Sequence, residues 1–505
     1  MTSTSQFDHF KEAWKASILE RRSPVRDEFP DYHVSDPGVL VGTSLIHSFE
    51  LGTGASIYTN SLLPAILQAE HEIILVTCFW ASSSTRSALK DALEKLAEDR
   101  RERILRTRES GSDAHGLSPL RVRICFSSRS LFQKLFHTRS RNGYVYPPSA
   151  WASQLGLPSP EVLESGLIDL RVKSLFFLPF SVLHSKYVVI DRRRAWFPSC
   201  NVSWEAWLEG CVEISGDAVA SLIQFHQHVW DPRLESQLPP RVGLDLGSAR
   251  PPGLGRIALM PIPSFAGRFL SLPEAVTPTI LLPSSHHCNP RYNIIPWRRY
   301  STPPPTPLNC SISCLMDMAR HSIYIQTPNI TSTPVINGVL KALERGIAVV
   351  IVTSKALMFL EQIVTAGTTT SICLWSLIRR YRKLQAKHAQ FRQIRSHDDL
   401  EPELDIEAQQ PQIGSLTISY FHSRPGNGPE SIVEEPQKSH IKLTIVDRQY
   451  TILGSGNMDR ASWFTSQELG ILFYSVDFAE AVSTAAAEVL VDRLEPVFSS
   501  SVAND

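Results

Sequence analysis

The sequence predicts an α/β protein made of two similar lobes, each a mixed, mostly parallel sheet flanked by helices. Strand patterns alternate with helical patterns in each half of the 505-residue chain, and the second half repeats the order of the first. Such alternation is typical of strand–helix–strand units, in which helices cover the faces of a sheet. The length also exceeds what one ordinary core accommodates, which favours two domains.

The repeat is read from apolar periodicity, with a period near 3.6 indicating a helix and short apolar runs indicating buried strands. The first half gives helix, strand, helix, strand, strand and helix patterns over 57–69, 72–80, 86–96, 120–128, 184–191 and 217–230. The second half gives strand, helix, strand, strand and helix patterns over 321–330, 335–346, 347–355, 440–447 and 477–494. A duplication of this length predicts paired lobes, not a solenoid.

Composition sets the expected boundaries. The predicted segments are an N-terminal extension at 1–45, a first lobe at 46–231, a Pro- and Gly-rich linker region at 232–310, and a second lobe at 311–498 with a polar insert at about 385–415. The extension has no apolar segment of the kind that signal peptides contain, and it is typical of a polar surface helix.

Two segments align without a gap, HSKYVVIDRRRAWFPSCN and HIKLTIVDRQYTILGSGN. Each has a histidine, a lysine two residues on, an aspartate five residues after the lysine, then a serine and an asparagine at matching positions. These residues are His184, Lys186, Asp191, Ser199 and Asn201 in the first copy, and His440, Lys442, Asp447, Ser455 and Asn457 in the second. One H-x-K-x4-D motif is weak evidence, but two copies that share five positions are not explained by chance.

The spacing indicates a reaction centre. Side chains alternate faces along a strand, so each histidine and its lysine point the same way. If the two lobes pack with these strands adjacent, two histidines and two lysines converge on one pocket at the lobe interface. Such a pocket suits phosphoryl transfer, with one imidazole attacking phosphorus, the other protonating the leaving oxygen, and lysines and asparagine amides holding the remaining oxygens. No metal or other cofactor is expected, because the lysines supply the positive charge.

A lone histidine on a strand is more often a satisfied core residue than a catalytic one, but the duplication disfavours that interpretation here. The aspartates of the motif, Asp191 and Asp447, lie at an odd offset from their lysines. They therefore share the lysine face only if the strand ends or twists, and we expect them to fix the following turn.

The duplicated motif followed by G-S-x-N resembles the hallmark of the phospholipase D superfamily, over about 52–494. Within it, the segments ELGILFYSVDFAEAV and IYIQTPNI are similar to bacterial-type cardiolipin synthases. The resemblance implies a phosphohistidine intermediate, with His184 as nucleophile and His440 as general acid. It also implies a supporting glutamate eleven residues after the asparagine, which Glu468 matches; in the first copy Pro198 replaces the glycine and Glu213 lies one residue late.

Three function classes follow. The leading one is a phosphodiesterase or phosphatidyl transferase that acts on phospholipids, by hydrolysis or by transfer to an alcohol. The alternative is an endonuclease with the same chemistry, which the zero net charge disfavours. A catalytically inactive scaffold is less favoured, because both copies of the motif are intact.

The stretch 356–395 passes from apolar to basic and is typical of contact with an anionic membrane surface, while contact with nucleic acid is a weaker alternative. No run of about 18 to 20 apolar residues suggests a transmembrane helix. The eight cysteines are scattered, as in a reducing compartment, so we expect an intracellular protein that is cytoplasmic or peripheral to a membrane.

Overall fold

The computed structural model describes residues 3–20, 33, 35–109, 118–137, 142–177, 181–203, 205–232, 267–285, 302–355, 357, 359–397, 412–424 and 435–500. The helices are α1 Ser3–Glu20, α2 Gly54–Ile57, α3 Leu63–Leu67, α4 Ser84–Glu109, α5 Leu131–Phe136, α6 Pro160–Ser165, α7 Asp217–Val229, α8 Pro307–Met318, α9 Thr333–Glu344, α10 Phe359–Ala366, α11 Thr370–His397, α12 Arg460–Phe464 and α13 Val476–Leu490.

The first ten strands are β1 Val41–Thr53, β2 Glu72–Phe79, β3 Leu120–Ser128, β4 Tyr144–Val145, β5 Ile168–Ser174, β6 Phe176–Phe177, β7 Ser181–Val182, β8 Tyr187–Ile190, β9 Arg194–Pro198 and β10 Trp207–Ser215. The other strands are β11 Arg268–Ser271, β12 Val276–Ser284, β13 Ser322–Thr327, β14 Ala348–Ser354, β15 Leu416–Phe421, β16 Lys438–Ser439, β17 Leu443–Val446, β18 Tyr450–Gly454, β19 Glu468–Tyr474 and β20 Leu494–Ser499.

The strands of both halves form one mixed sheet. Its main order is β5-β3-β2-β8-β9-β10-β1-β12-β19-β18-β17-β13-β14-β15-β20. The α/β class with a mixed sheet is confirmed. Parallel pairing is less extensive than predicted: it joins β2, β3 and β5 in the first half and β13, β14 and β15 in the second, with a short β10–β16 pair. The motif hairpins add antiparallel strands beside these parallel sets. The separation into two lobes stays a prediction.

The region expected to be a linker contributes two strands to this sheet, so that expectation is corrected for its described part. β12 pairs with β1 on one side and with β19 on the other. Its apolar residues Ile280, Leu281 and Leu282 are fully buried, because both of its edges and its faces are covered. β12 is thus the counterpart of β1, and the internal repeat begins at these two strands, which meet in the middle of the sheet.

The N-terminal extension also differs from the prediction of a polar surface helix. In α1, Phe10, Trp14 and Ile18 follow one another at four-residue intervals on one buried stripe. The Trp14 indole N–H donates to the carbonyl of Pro307 at 3.0 Å, at the start of α8. The many polar residues of α1 concealed this apolar stripe, which packs on the second half. In addition, β1 begins inside the predicted extension, at Val41.

The motif segments are not strands over their whole length. Regular pairing begins after each lysine, at Tyr187 in the first copy and at Leu443 in the second. The histidine and lysine of each copy instead lie in the segment that precedes β8 or β17. There the histidine backbone N–H donates to a carbonyl of the opposite half and not to a neighbouring strand of its own half. Of the predicted polar insert at about 385–415, residues up to 397 continue helix α11, and 398–411 lie outside the described residues.

Candidate active site

The two halves of the chain exchange backbone hydrogen bonds at the first residue of each motif. The His184 N–H donates to the carbonyl of Gln467 at 2.7 Å, and the His440 N–H donates to the carbonyl of Leu208 at 2.8 Å. Gln467 and Leu208 each precede a buried glutamate, Glu468 and Glu209 respectively. Each motif histidine is therefore held beside a carboxylate that belongs to the other half of the chain.

His184 is oriented by Glu468. Its Nδ1 lies 2.8 Å from Oε2 of Glu468 and 3.0 Å from the carbonyl oxygen of Ser455. Both of these groups are acceptors, so Nδ1 carries the proton and Nε2 keeps its lone pair. The carboxylate is itself fixed by the hydroxyls of Ser455 and Ser462, which donate to it at 2.6 and 2.7 Å. This network sets the tautomer and the orientation that a nucleophilic imidazole requires.

His440 is oriented in the same way by Glu209. Its Nδ1 lies 2.8 Å from Oε1 of Glu209, and the hydroxyl of Ser199 donates to the other oxygen of that carboxylate. Ser199 also accepts the N–H of Gly210 at 2.9 Å, as Ser455 accepts the N–H of Leu469 at 3.0 Å. The serines of the repeated motif thus hold the carboxylates and do not contact the histidines through their hydroxyls.

The two histidines differ in access. The His184 side chain is 16% exposed, whereas that of His440 is 3% exposed. Burial and the nearby lysines, Lys186 and Lys442, lower the pKa of both histidines, and that of His440 falls to about 3. Both imidazoles are therefore neutral at neutral pH, which is the form in which a histidine attacks phosphorus.

The lysines lie beside the histidines that precede them. Lys186 Nζ donates to the carbonyl of His184 at 3.0 Å. Lys442 Nζ donates to the carbonyl of His440 at 2.6 Å and lies 2.9 Å from its Nε2. Burial, together with repulsion from Lys186, lowers the pKa of Lys442 to about 7, against the attraction of Glu209. Lys442 also lowers the pKa of His184, and Lys186 lowers that of His440, so the two histidine–lysine pairs lie near each other.

The glutamates keep their charge in this setting. Burial alone would raise the pKa of Glu209, but His440, Lys442 and the Ser199 hydroxyl hold it below the ordinary value. Glu468 is likewise held below the ordinary carboxyl pKa by His184 and its serine partners, although it is buried. The site therefore contains two negative charges behind the imidazoles and two lysines beside them, an arrangement suited to an anionic substrate.

The asparagines take different positions. Asn201 Oδ1 accepts the N–H of Phe79 at 3.2 Å at the end of β2, which leaves its amide N–H groups as donors. Asn457 Nδ2 donates to Asp459 at 3.0 Å, and its Oδ1 has no partner within the described part of the chain. Burial raises the pKa of Asp459. Asp459 was not singled out from the sequence.

The motif aspartates lie in the turns and away from the histidines. Asp191 accepts the backbone N–H groups of residues 70, 71 and 72, and Asp447 accepts those of residues 320, 321 and 322. Both have left-handed backbone angles, with φ of 52° and 53°. Aspartate tolerates that conformation better than most residues, and its carboxylate satisfies N–H groups at the starts of β2 and β13. This geometry fits the expected role of fixing the turn.

Glu213, expected to support a histidine, is placed elsewhere. It accepts from Ser48 at 2.9 Å and from Arg194 at 2.6 Å. Glu209 occupies the position equivalent to Glu468; it follows Ser199 by ten residues, whereas Glu468 follows Ser455 by thirteen. The equivalence is visible when residues are counted back from helices α7 and α13. Each glutamate lies seven residues before the N-cap of the helix that follows it, Gly216 or Ser475.

Comparison with known proteins finds a match for the second half of the chain. Residues 312–489 match the family model described as "Cardiolipin synthase, PLD-like domain". This segment is similar to a phospholipase D-like domain. This match covers His440, Lys442 and Glu468, and it confirms the resemblance to the phospholipase D superfamily.

Solved structures similar to the chain include phosphatidylserine synthase from Haemophilus influenzae, at 14% identity over 92% of this chain and 90% of that one, with a TM-score of 0.46. Nuc, a phospholipase D family member from Salmonella typhimurium, is 14% identical over 38% of this chain and 90% of its own, with a TM-score of 0.24. Polyphosphate kinase from Porphyromonas gingivalis is 10% identical over 90% of this chain and 49% of its own, with a TM-score of 0.44. No protein with a curated description matches the chain.

The matched segment 312–489 contains helix α11, which is the longest of the described helices. Within the residues that the structure describes, neither α11 nor any other helix combines the length and apolar character needed to cross a bilayer.

Proposed function

We propose that the protein cleaves or transfers phospholipid phosphodiesters through a phosphohistidine intermediate. The observation that carries the proposal is the reciprocal pairing of each motif histidine with a buried carboxylate from the other half, at 2.8 Å in both cases. A carboxylate on Nδ1 leaves Nε2 free for chemistry and stabilises the imidazolium that forms during reaction. The phospholipid class is taken from the description of the matching family model.

In the proposed reaction, Nε2 of His184 attacks phosphorus, and the bond from phosphorus to the leaving oxygen breaks. His440 gives the proton that the leaving oxygen takes up, and the new bond joins Nε2 of His184 to the phosphatidyl group. Water or an alcohol then attacks that phosphorus, gives its proton back to His440, and releases His184. The greater exposure of His184, 16% against 3% for His440, supports its role as nucleophile.

His440 must be protonated to act as the acid, although its pKa is about 3 in the absence of substrate. The bound phosphodiester brings a negative charge between the two lysines, which favours protonation of the imidazole. Lys442, 2.9 Å from Nε2, is the nearest described proton donor. Glu209 on the opposite nitrogen then stabilises the protonated ring.

The proposal is tested with purified protein, phosphatidylglycerol, phosphatidylcholine and single-stranded DNA, beside His184→Ala and His440→Ala variants. We expect lipid turnover that both substitutions abolish. A diester with an aryl leaving group, which needs no proton, should leave a covalent phosphoryl adduct on His184 in the His440→Ala variant. Cleavage of DNA without turnover of lipid would refute the lipid assignment, and turnover that survives both substitutions would refute the two-histidine mechanism.

A further inference from the structure

Helices α10 and α11 carry an unusual surface on the described part of the second half. Five large apolar side chains are between 43% and 65% exposed, namely Phe359, Ile363, Val364, Ile372 and Trp375. Soluble surfaces rarely gather so many exposed apolar side chains in two consecutive elements. We call these five residues the apolar patch.

A cationic stripe, formed by Arg379, Arg382 and Lys383, follows the apolar patch along α11. From 362 to 397 the chain has no Asp or Glu and seven Lys or Arg residues, at 379, 380, 382, 383, 387, 392 and 395. The whole chain has equal numbers of acidic and basic residues, so this is a local surplus. Trp375, Arg379, Arg382, Lys383 and Ala386 line one surface hollow, which places the aromatic ring and the cations on the same face.

The opposite face of α11 is fixed to the protein. Leu374, Leu377 and Tyr381 are buried, and the Tyr381 hydroxyl donates to the carbonyl of Gly414 at 2.8 Å. Arg379 lies over the Trp375 ring, with its guanidinium carbon 5.4 Å from the ring centroid. The exposed face is therefore held on a supported helix, which limits the conformational cost of using it for binding.

The turn between α10 and α11 is attached to the candidate active site. Thr370 Oγ1 accepts the N–H of Ile330 at 3.2 Å, and Thr370 N–H donates to Gln362 at 2.7 Å. Ile330 forms a β-bridge with Met458, the residue after Asn457. These contacts connect the helices that carry the apolar patch to the segment that contains Asn457.

We infer that the apolar patch and the cationic stripe together dock the protein on an anionic phospholipid bilayer. Anionic head groups match the cations, and the interfacial region of a bilayer accommodates an exposed tryptophan and aliphatic side chains. Nucleic acid would match the cations but would leave the aliphatic side chains exposed to water, so the bilayer is the better partner. The inference extends the proposed function, because it places the site at the surface that contains phospholipid.

Docking is measured by co-sedimentation of the full chain with vesicles of phosphatidylcholine alone or mixed equally with phosphatidylglycerol. All proteins carry His184→Ala, so that binding is measured without turnover and its outcome is separate from that of the proposed reaction. We expect binding to the anionic vesicles that weakens with added salt. The double variant Arg379→Glu/Lys383→Glu should bind at least about thirtyfold more weakly, since each cation lost near an anionic surface costs roughly fivefold and the surface also repels the two new carboxylates.

Matched controls separate this surface from general charge and hydrophobicity. Arg101→Glu/Arg103→Glu makes the same change in net charge at exposed positions of α4 and should leave vesicle binding unchanged. Trp375→Ala should weaken binding, whereas Phe132→Ala should not, although Phe132 on α5 is exposed to a similar extent, 64% against 61%. Equal losses in variant and control would overturn the inference. Binding to single-stranded DNA but not to vesicles, lost in Arg379→Glu/Lys383→Glu, would overturn it in favour of nucleic acid.

Discussion

Replacing Glu209 by Gln keeps the shape of a buried side chain but removes the negative charge that lies 2.8 Å from Nδ1 of His440. Gln still offers an oxygen to the Nδ1 proton and still meets the hydroxyl of Ser199. The neutral form of His440 therefore loses little, while its protonated form loses its counter-charge. If His440 is the general acid, this substitution acts on the proton transfer and not on attack by His184.

The expected loss of activity in Glu209→Gln follows from the distance between the two charges. With charge centres about 4 Å apart and an effective dielectric constant near 20, the lost attraction is about 4 kcal/mol. A change of about 4 kcal/mol corresponds to about a thousandfold in the protonated fraction of His440, and to a similar loss of kcat if protonation limits the reaction. Glu213→Gln is the matched control, because Glu213 is bonded to Arg194 and Ser48 and not to a histidine.

The assay compares two soluble phosphodiesters, one with an alkyl and one with an aryl leaving group. Glu209→Gln should lose about a thousandfold on the alkyl substrate and far less on the aryl substrate, whose leaving group needs no proton. Glu213→Gln should stay close to the parent protein on both. Equal losses on the two substrates would show that Glu209 does not act through proton transfer, and a loss below about fivefold on the alkyl substrate would refute the electrostatic argument.

Two further predictions concern pH and stability. The reaction requires neutral His184 and charged Lys442, and burial lowers the pKa of both, that of Lys442 to about 7. We therefore expect kcat/KM to fall on the acid side only below the ordinary histidine range and to decline as pH rises through about 7. A kcat/KM that still rises at about pH 8 would contradict this prediction. Asp447→Ala removes the acceptor of three backbone N–H groups and should lower the free energy of unfolding by about 2–4 kcal/mol, with a smaller loss for Asp447→Asn. Denaturant titration measures both free energies. A loss under about 0.5 kcal/mol in the Ala variant would contradict the turn-fixing role.

The repeated motif contained most of what could be predicted about the site. Spacing placed a histidine and a lysine together in each copy, and the structure brings both pairs together. The sequence could not reveal that each histidine is held by the other half, because no local pattern encodes a contact such as that between His440 and Glu209. A gap-free alignment also pointed to Glu213, since the three-residue difference in length before the glutamate is visible only from the helix starts.

The missed elements were those whose role depends on distant partners. β12 contains prolines and lies in a Pro- and Gly-rich region, which locally indicates a linker. Its apolar central residues are buried because β1 and β19 pair with it on both edges. The stripe of Phe10, Trp14 and Ile18 on α1 is short, and the polar residues around it dominated the composition. In both cases tertiary packing outweighed the local signal.

The reciprocal contacts make the site a property of both halves together. The segment that matches the family model contains His440 but lacks Glu209, which orients it, and it contains Glu468, whose partner His184 lies outside the match. An isolated second half would therefore leave Glu468 without its imidazole partner and His440 without its carboxylate partner. Because a buried charge without a partner costs several kcal/mol, the same two pairs that orient the histidines also hold the halves in one arrangement.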